Sequence, residues 1–213
     1  VYKGKEKVYD YISLKKLPIQ IIELDSLQDL GHTISYGIKY ILDKNPDTDY
    51  LYINFADTLL SNPIDNSNND RIFYAKEPYS EEWTYFQHNN GVLSNIVDKQ
   101  LSDNFNEEKG DVFTGVFEIS HVKTFCSFFS KKTDFDQQNI DSFYIALEKY
   151  SKSYPFECIL SGRWFDVGHT DRYFQAQTNV ASRSFNFIDI DSERGILTKH
   201  SENREKLIEK IEW

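Results

Sequence analysis

The sequence predicts an α/β fold, a Rossmann-like mixed and mostly parallel sheet flanked by helices. Three observations lead there. Strand-like and helix-like patterns alternate from Pro18 to Phe55, the connections between them are short, and 213 residues suffice for one large domain. Strand, helix, strand with short links is the βαβ signature of a parallel sheet.

Residues 1–17 carry little pattern. Pro18 to Leu24 (PIQIIEL) reads as a buried strand, and Asp25 to His32 as the loop leaving it. Thr33 to Lys44 reads as a helix with Ile34, Ile38, Ile41 and Leu42 on one face and Thr33 as N-cap. Tyr50 to Phe55 (YLYINF) is the next strand, and the polar run Asn62 to Asp70 a surface loop. Arg71 to Ala75, Trp83 to His88 and Val92 to Val97 read as strands, the last two joined by a hairpin turn at Asn89, Asn90 and Gly91. Val112 to Ile119 is a further strand. Helices follow at Ser120 to Ser130 and Ile140 to Tyr150, the second with Ile140, Phe143, Leu147 and Tyr150 on one face. Phe156 to Leu160 is a short strand, Thr170 to Ala181 a helix, Phe185 to Ile190 and Gly195 to Lys199 short strands, and Glu202 to Trp213 a charged terminal helix.

Bulk composition narrows the function classes. With 39% hydrophobic and 15% aromatic residues the chain can build a core, which argues against disorder. Its two cysteines, Cys126 and Cys158, lie in apolar runs and read as buried free thiols of a reducing compartment. No run approaches the ~18 apolar residues of a membrane span and no signal peptide opens the chain, so the cytoplasm is the expected location. A net charge of -10 disfavours a general nucleic-acid surface. It does not disfavour a single nucleotide bound with its own metal ion, which supplies positive charge locally.

Two aspartates carry the chemistry. Asp57, in NFADTLL, lies just past the carboxyl end of a strand, the edge where open α/β sheets bind ligands. A carboxylate there can hold a hard cation with phosphates as co-ligands, or simply cap the following turn. Asp166, in GRWFDVGH, ends a short strand before Gly168, which permits a sharp exit. Two strand-end aspartates suggest one shared metal site. His169 reads as a phosphate or metal contact, or as a packing residue.

NFADTLL together with GRWFDVGH resembles the paired metal motifs of the sugar-phosphate nucleotidyltransferases, or pyrophosphorylases, which have the nucleotide-diphospho-sugar transferase fold. The resemblance implies that Asp57 and Asp166 bind Mg²⁺. LGHT looks like the segment approaching the nucleotide base, which implies substrate-binding roles for Gly31, His32 and Thr33. The turn with Asp98 and Lys99 is similar to the segment whose Lys contacts the sugar phosphate. FTGVFEI is similar to the Thr-Gly strand lining the sugar pocket, implicating Thr114 and Gly115. From WFDVGH through YFQAQ, SRSFN, ILTKHS and KLIEKIEW the chain resembles a bacterial subgroup found with capsule and surface-polysaccharide genes. The partners so implied are a nucleoside triphosphate and a small phosphate ester, with a fused phosphotransferase-like domain or a homo-oligomer beyond them.

The chain departs from the family pattern in places. The family's glycine-rich phosphate loop has no counterpart before Pro18, Ala56 replaces the usual Gly, and His169 replaces the commoner Thr. A start at Val1 and the absence of Met fit a missing N-terminal segment. The expected organisation is a nucleotidyltransferase domain over residues 1–181 and an appendage or linker over 182–213. The implied reaction joins the triphosphate to the ester with release of pyrophosphate. The alternatives are a nucleotide-sugar glycosyltransferase, disfavoured because Asp189 and Asp191 come too late in the chain, and a non-catalytic nucleotide-binding domain. The aromatic residues Tyr79, Trp83, Tyr85 and Phe86 read as packing, and DIDSE (Asp189 to Glu193) as too incomplete for a calcium loop.

Overall fold

A computed structural model describes residues 5–26, 29–60, 67–78, 82–99, 109–129, 141–162, 164–168, 170–181, 188–191 and 196–199. In chain order the elements are α1 (Lys5–Lys15), α2 (Leu30–Lys44), β1 (Leu51–Asn54), β2 (Thr58–Leu60), β3 (Arg71–Pro78), β4 (Thr84–Asn89), β5 (Val92–Asp98) and β6 (Lys109–Ile119). They continue with α3 (Val122–Ser127), α4 (Ser142–Ser151), β7 (Glu157–Leu160), β8 (Trp164–Asp166), α5 (Thr170–Ala181), β9 (Ile188–Asp191) and β10 (Ile196–Lys199). The chain forms two compact units, one of Gln28–Trp164 and one of Val1–Leu27 with Phe165–Trp213.

The Gln28–Trp164 unit is built on a six-stranded sheet in the order β1-β6-β3-β7-β5-β4, with β4 also reaching β6. The expectation of a mostly parallel sheet is corrected here. Only β3 and β7 run parallel, and the other pairs are antiparallel. The parallel reading rested on Pro18 to Leu24 as a strand, and those residues form no strand. Ile19 is half exposed there, and β1 instead lies antiparallel to β6, with Ile53 opposite Phe117. The β4–β5 hairpin turns at Asn90 and Gly91, both with positive φ (51° and 80°). Type I′ turns require that geometry at both central residues, which is why Asn-Gly signals a hairpin.

One face of this sheet carries α2, α3 and α4. Ile38 of α2, Phe125 of α3 and Phe143, Leu147 and Tyr150 of α4 pack on Ile72, Phe86, Phe113, Phe117 and Ile119 of the sheet. Rings dominate the layer: Phe113 stacks with Phe143 at 6.0 Å between centroids and tilts against Phe86 at 5.1 Å. Such pairs contribute roughly 0.5–1.5 kcal/mol each beyond the area they bury. Tyr85 and Phe86 are buried, so their reading as packing residues holds, whereas Tyr79 lies outside the described residues. Cys126 and Cys158 are free thiols, and burial pushes the Cys158 thiol up to about 12.

On the opposite face a charged pair is enclosed. Arg71 and Glu118 stand directly across the β3–β6 ladder, with side chains 7% and 2% exposed. The guanidinium grips the carboxylate twice, through Nε to Oε2 and through Nη2 to Oε1 at 3.0 Å. The Tyr50 hydroxyl also bonds Glu118, and burial first, then that bond, raises the Tyr50 pKa.

The second unit contains α1, where the sequence shows little pattern, and α5, whose limits match expectation. The α1 helix has little amphipathic character to read, because Val8, Tyr9, Tyr11 and Leu14 all remain substantially exposed. Tyr9 donates to Glu23 at 2.7 Å, and β9 and β10 form an antiparallel pair. The expected boundary at residue 182, the turn at Ser182 to Ser184 and the terminal helix from Glu202 lie outside the described residues. Among the described residues no helix is long and apolar enough to cross a membrane.

Removing one member of the enclosed pair leaves the other charge buried and unpaired, at a cost of about 3–5 kcal/mol. Glu118→Ala is therefore expected to lose that much in urea unfolding. The double variant Arg71→Met/Glu118→Leu should lose far less, and equal losses for the two would contradict this account.

Candidate active site

The turn carrying Asp57 is fastened to β6. After β1 ends at Asn54, the Phe55 amide donates to the Gly115 carbonyl at 2.9 Å, and the Thr58 hydroxyl donates to the Thr114 carbonyl at 2.6 Å. Gly115 has φ of +82°, and a Cβ there would approach Phe55 Cδ2 to 2.8 Å. A side chain at 115 would displace the ring that begins the turn. Thr114 is buried and donates its own hydroxyl to the Phe73 carbonyl at 2.9 Å. Thr114 and Gly115 therefore position Asp57, whose side chain is exposed and has no hydrogen-bond partner among the described residues.

Two helix starts meet nearby. The α2 helix begins at Leu30, three residues earlier than expected, because Asp29 and not Thr33 is its N-cap. Asp29 accepts from the His32 amide at 2.7 Å, while Thr33 donates its hydroxyl back to the Asp29 carbonyl at 3.3 Å. Asp141 caps α4 through the Phe143 amide at 2.8 Å and also accepts from the Leu30 and Gly31 amides at 2.9 and 3.1 Å. One carboxylate thus satisfies donors from two helices, which otherwise lack intrahelical partners. Gly31 permits the crossing: a Cβ there would lie 2.0 Å from Ser142 Oγ and 2.6 Å from the Phe143 backbone nitrogen. Beside this crossing, His32 Nδ1 is buried with no hydrogen-bond partner among the described residues.

Lys99 closes β5 in a left-handed conformation, φ 48°, with its amide donating to the Trp83 carbonyl at 3.3 Å. A non-glycine residue in that region costs roughly 1–3 kcal/mol and persists only where its surroundings impose it. The preceding Asp98 accepts from the Thr84 hydroxyl at 2.6 Å. Lys99 itself is exposed.

These pieces converge on Tyr144 of α4. Burial, and then the charges of Asp98, Asp141 and Asp57, hold its hydroxyl well above the usual tyrosine range, and it hydrogen-bonds Thr84. Asp141 joins the start of α4 to the first turn of α2 with Gly31, His32 and Thr33, and the charges of Asp98 and Asp57 reach Tyr144 on the same helix. Sequence reasoning missed Tyr144, Asp141 and Thr84. Asp141 was legible in principle as an N-cap ahead of an apolar run. Tyr144 was not, since it lies beside the expected apolar stripe.

Asp166 belongs to the other unit. Its Oδ1 accepts from the Gly168 amide at 2.8 Å and its Oδ2 is paired with Arg172 of α5. His169 lies outside the described residues. Asp57, on the Gln28–Trp164 unit, presents exposed carboxylate oxygens, the donors that Mg²⁺ prefers, whereas both Asp166 oxygens are engaged by Gly168 and Arg172. Among the described residues no group of three or more His, Cys, Asp or Glu forms a ready cage. Mg²⁺ needs none, since it binds through one or two carboxylates together with substrate phosphates.

No protein-family model and no curated protein matches the chain. Solved structures do. The nucleoside-diphosphate-sugar pyrophosphorylase from Vibrio cholerae RC9 matches with TM-score 0.60 and 13% identity, over 82% of this chain and 77% of that one. The inositol-1-phosphate CTP transferase from T. maritima matches with TM-score 0.56 and 15% identity, over 86% and 76%. The CTP:phosphocholine cytidylyltransferase from Streptococcus pneumoniae matches with TM-score 0.60 and 12% identity, over 82% and 74%. The chain has the α/β fold of these nucleotidyltransferases.

Both glycines are expected to resist substitution. Gly31→Ala drives a methyl into α4 backbone, and Gly115→Ala combines crowding against the Phe55 ring with an unfavourable φ. Each should lower stability by about 1–3 kcal/mol, measured by urea unfolding. Unchanged stability of both would mean that neither close approach exists.

Proposed function

We propose that this chain is a Mg²⁺-dependent nucleotidyltransferase that joins a nucleoside triphosphate to a sugar phosphate or other small phosphate ester. Its place would be the synthesis of capsule or surface-polysaccharide precursors. What supports the reading is an exposed Asp57 on a turn fastened to β6, in a chain with the fold of nucleotidyltransferases. The resemblance of the stretch from Trp164 onward to the capsule-associated subgroup supports the pathway assignment.

A phosphate oxygen of the ester attacks the α-phosphorus of the triphosphate. A new P–O bond forms there, the bond from the α-phosphorus to the bridging oxygen breaks, and pyrophosphate leaves with that oxygen. The protein's task is alignment and charge neutralisation, because little covalent chemistry falls to it. Asp57 and Asp166 are assigned as the carboxylates for Mg²⁺, which when bound neutralises phosphate charge. Lys99 is assigned to the ester phosphate as a mobile point charge on an exposed stem. Gly31, His32 and Thr33 are assigned to the nucleotide base, where the unpartnered His32 Nδ1 offers a hydrogen-bonding position. Thr114 and Gly115 are assigned to the sugar pocket through their backbone and the turn they hold. His169 remains assigned to substrate on the motif alone.

The test is pyrophosphate release by the full chain with Mg²⁺, each of four nucleoside triphosphates, and glucose 1-phosphate, inositol 1-phosphate or phosphocholine. Asp57→Asn and Asp166→Asn are each expected to lower turnover by at least 100-fold, on the order of 2.7 kcal/mol of transition-state stabilisation, with the unfolding midpoint unchanged for Asp57→Asn, whose carboxylate is exposed. Retention of Mg²⁺-dependent turnover in Asp57→Asn would remove the metal assignment. Absence of release for every pair would remove the activity.

A further inference from the structure

Between the Lys99 turn and helix α4 runs a short chain of hydroxyls that the reaction above does not use. The Thr84 hydroxyl, on β4 and 5% exposed, donates its one proton to Asp98 at 2.6 Å. Tyr144 of α4 also hydrogen-bonds Thr84. Asp98 is directly followed by Lys99, whose left-handed backbone is tied to the Trp83 carbonyl, the residue before Thr84. Both residues of the turn are thereby anchored at the start of β4, Asp98 through its side chain on Thr84 and Lys99 through its amide on the preceding Trp83. Tyr144 fixes the anchor from the helix layer.

We propose that Tyr144 and Thr84 are positioning residues that lock the Asp98–Lys99 turn, so that the Lys99 ammonium meets the phosphate of the acceptor ester in one geometry. The proposal rests on the nucleotidyltransferase reading for the identity of the acceptor, but the lock is a property of the fold. An unlocked turn leaves Lys99 intact and exposed, so the loss falls on acceptor binding and not on the nucleotide or on the chemical step. A hydrogen bond to a charged group contributes enough that losing it costs about tenfold in affinity.

Two measurements on the full chain decide it. The first is amide hydrogen exchange in Tyr144→Phe, Thr84→Val and Thr84→Ser. Tyr144→Phe and Thr84→Val are expected to speed exchange of the Lys99 amide about tenfold while core amides of β3 and β6 stay unchanged, and Thr84→Ser to keep the native rate. The second is pyrophosphate release with acceptor and triphosphate varied in turn. There the first two variants are expected to raise KM for the acceptor about tenfold, with KM for the triphosphate and kcat within twofold of the parent, and Thr84→Ser to restore the parent value. Unchanged Lys99 exchange in both Tyr144→Phe and Thr84→Val overturns the lock, whatever the activity. Faster Lys99 exchange with an unchanged acceptor KM, or with both KM values raised together, overturns its role in acceptor binding. If the parent releases no pyrophosphate, the activity reading fails, and with it the acceptor role, while the exchange result still decides the lock.

Discussion

The crossing of two helix starts is the constraint on which the site depends. α2 and α4 approach so closely that a single methyl at Gly31 would strike α4 backbone. Their exposed amides would be a liability at that distance, since two positive helix ends face each other. Asp29 and Asp141 remove the liability, each accepting amides from both helices. With the crossing fixed, Tyr144 is delivered one turn along α4 to the edge of the sheet, and Phe143 beside it is driven into the ring layer against Phe113 and Phe117. Capping and core packing thus hold the same helix from its two sides.

This arrangement also sorts the acids. Asp57, Asp98 and Asp141 all act electrostatically on Tyr144, in a chain already carrying a net charge of -10. Asp141 is consumed by three backbone amides and Asp98 by Thr84, so each has partners that stabilise its charge. Asp57 is the exposed member, on a turn held by backbone contacts to β6 and not by its own carboxylate. Of the three, it is the one with oxygens to spare for a cation.

How much of this was legible in the sequence depended on how local the cause was. The hairpin at Asn90–Gly91 was readable because both residues tolerate the positive φ that the turn demands. The helix Thr170–Ala181 and the strands from Arg71 to Asp98 were readable from periodicity. Strand direction was not: apolar runs such as Ile72 to Ala75 look the same whichever way the neighbour runs, and PIQIIEL looks like a strand without a ladder to join. Asp57 and Lys99 stood out by motif, but what places them did not. Gly115 against Phe55, Thr84 under Asp98 and Asp141 across two helices join residues far apart in the chain, and nothing in either local stretch announces its partner.

The strand order has one consequence for how this chain comes to be. β7 sits between β3 and β5, yet it begins at Glu157 while β5 ends at Asp98. During synthesis at about 5–20 residues per second, β5 emerges on the order of 3–12 s before the strand that joins it to β3. Through that interval β5 has its hairpin partner β4 but not β7. Phe86 and Leu93 then wait for the phenylalanine layer that later covers them. Ser94 and Asn95, exposed and both donating to the exposed Gln87 across the ribbon, give the nascent hairpin a wet face during its most sticky moment.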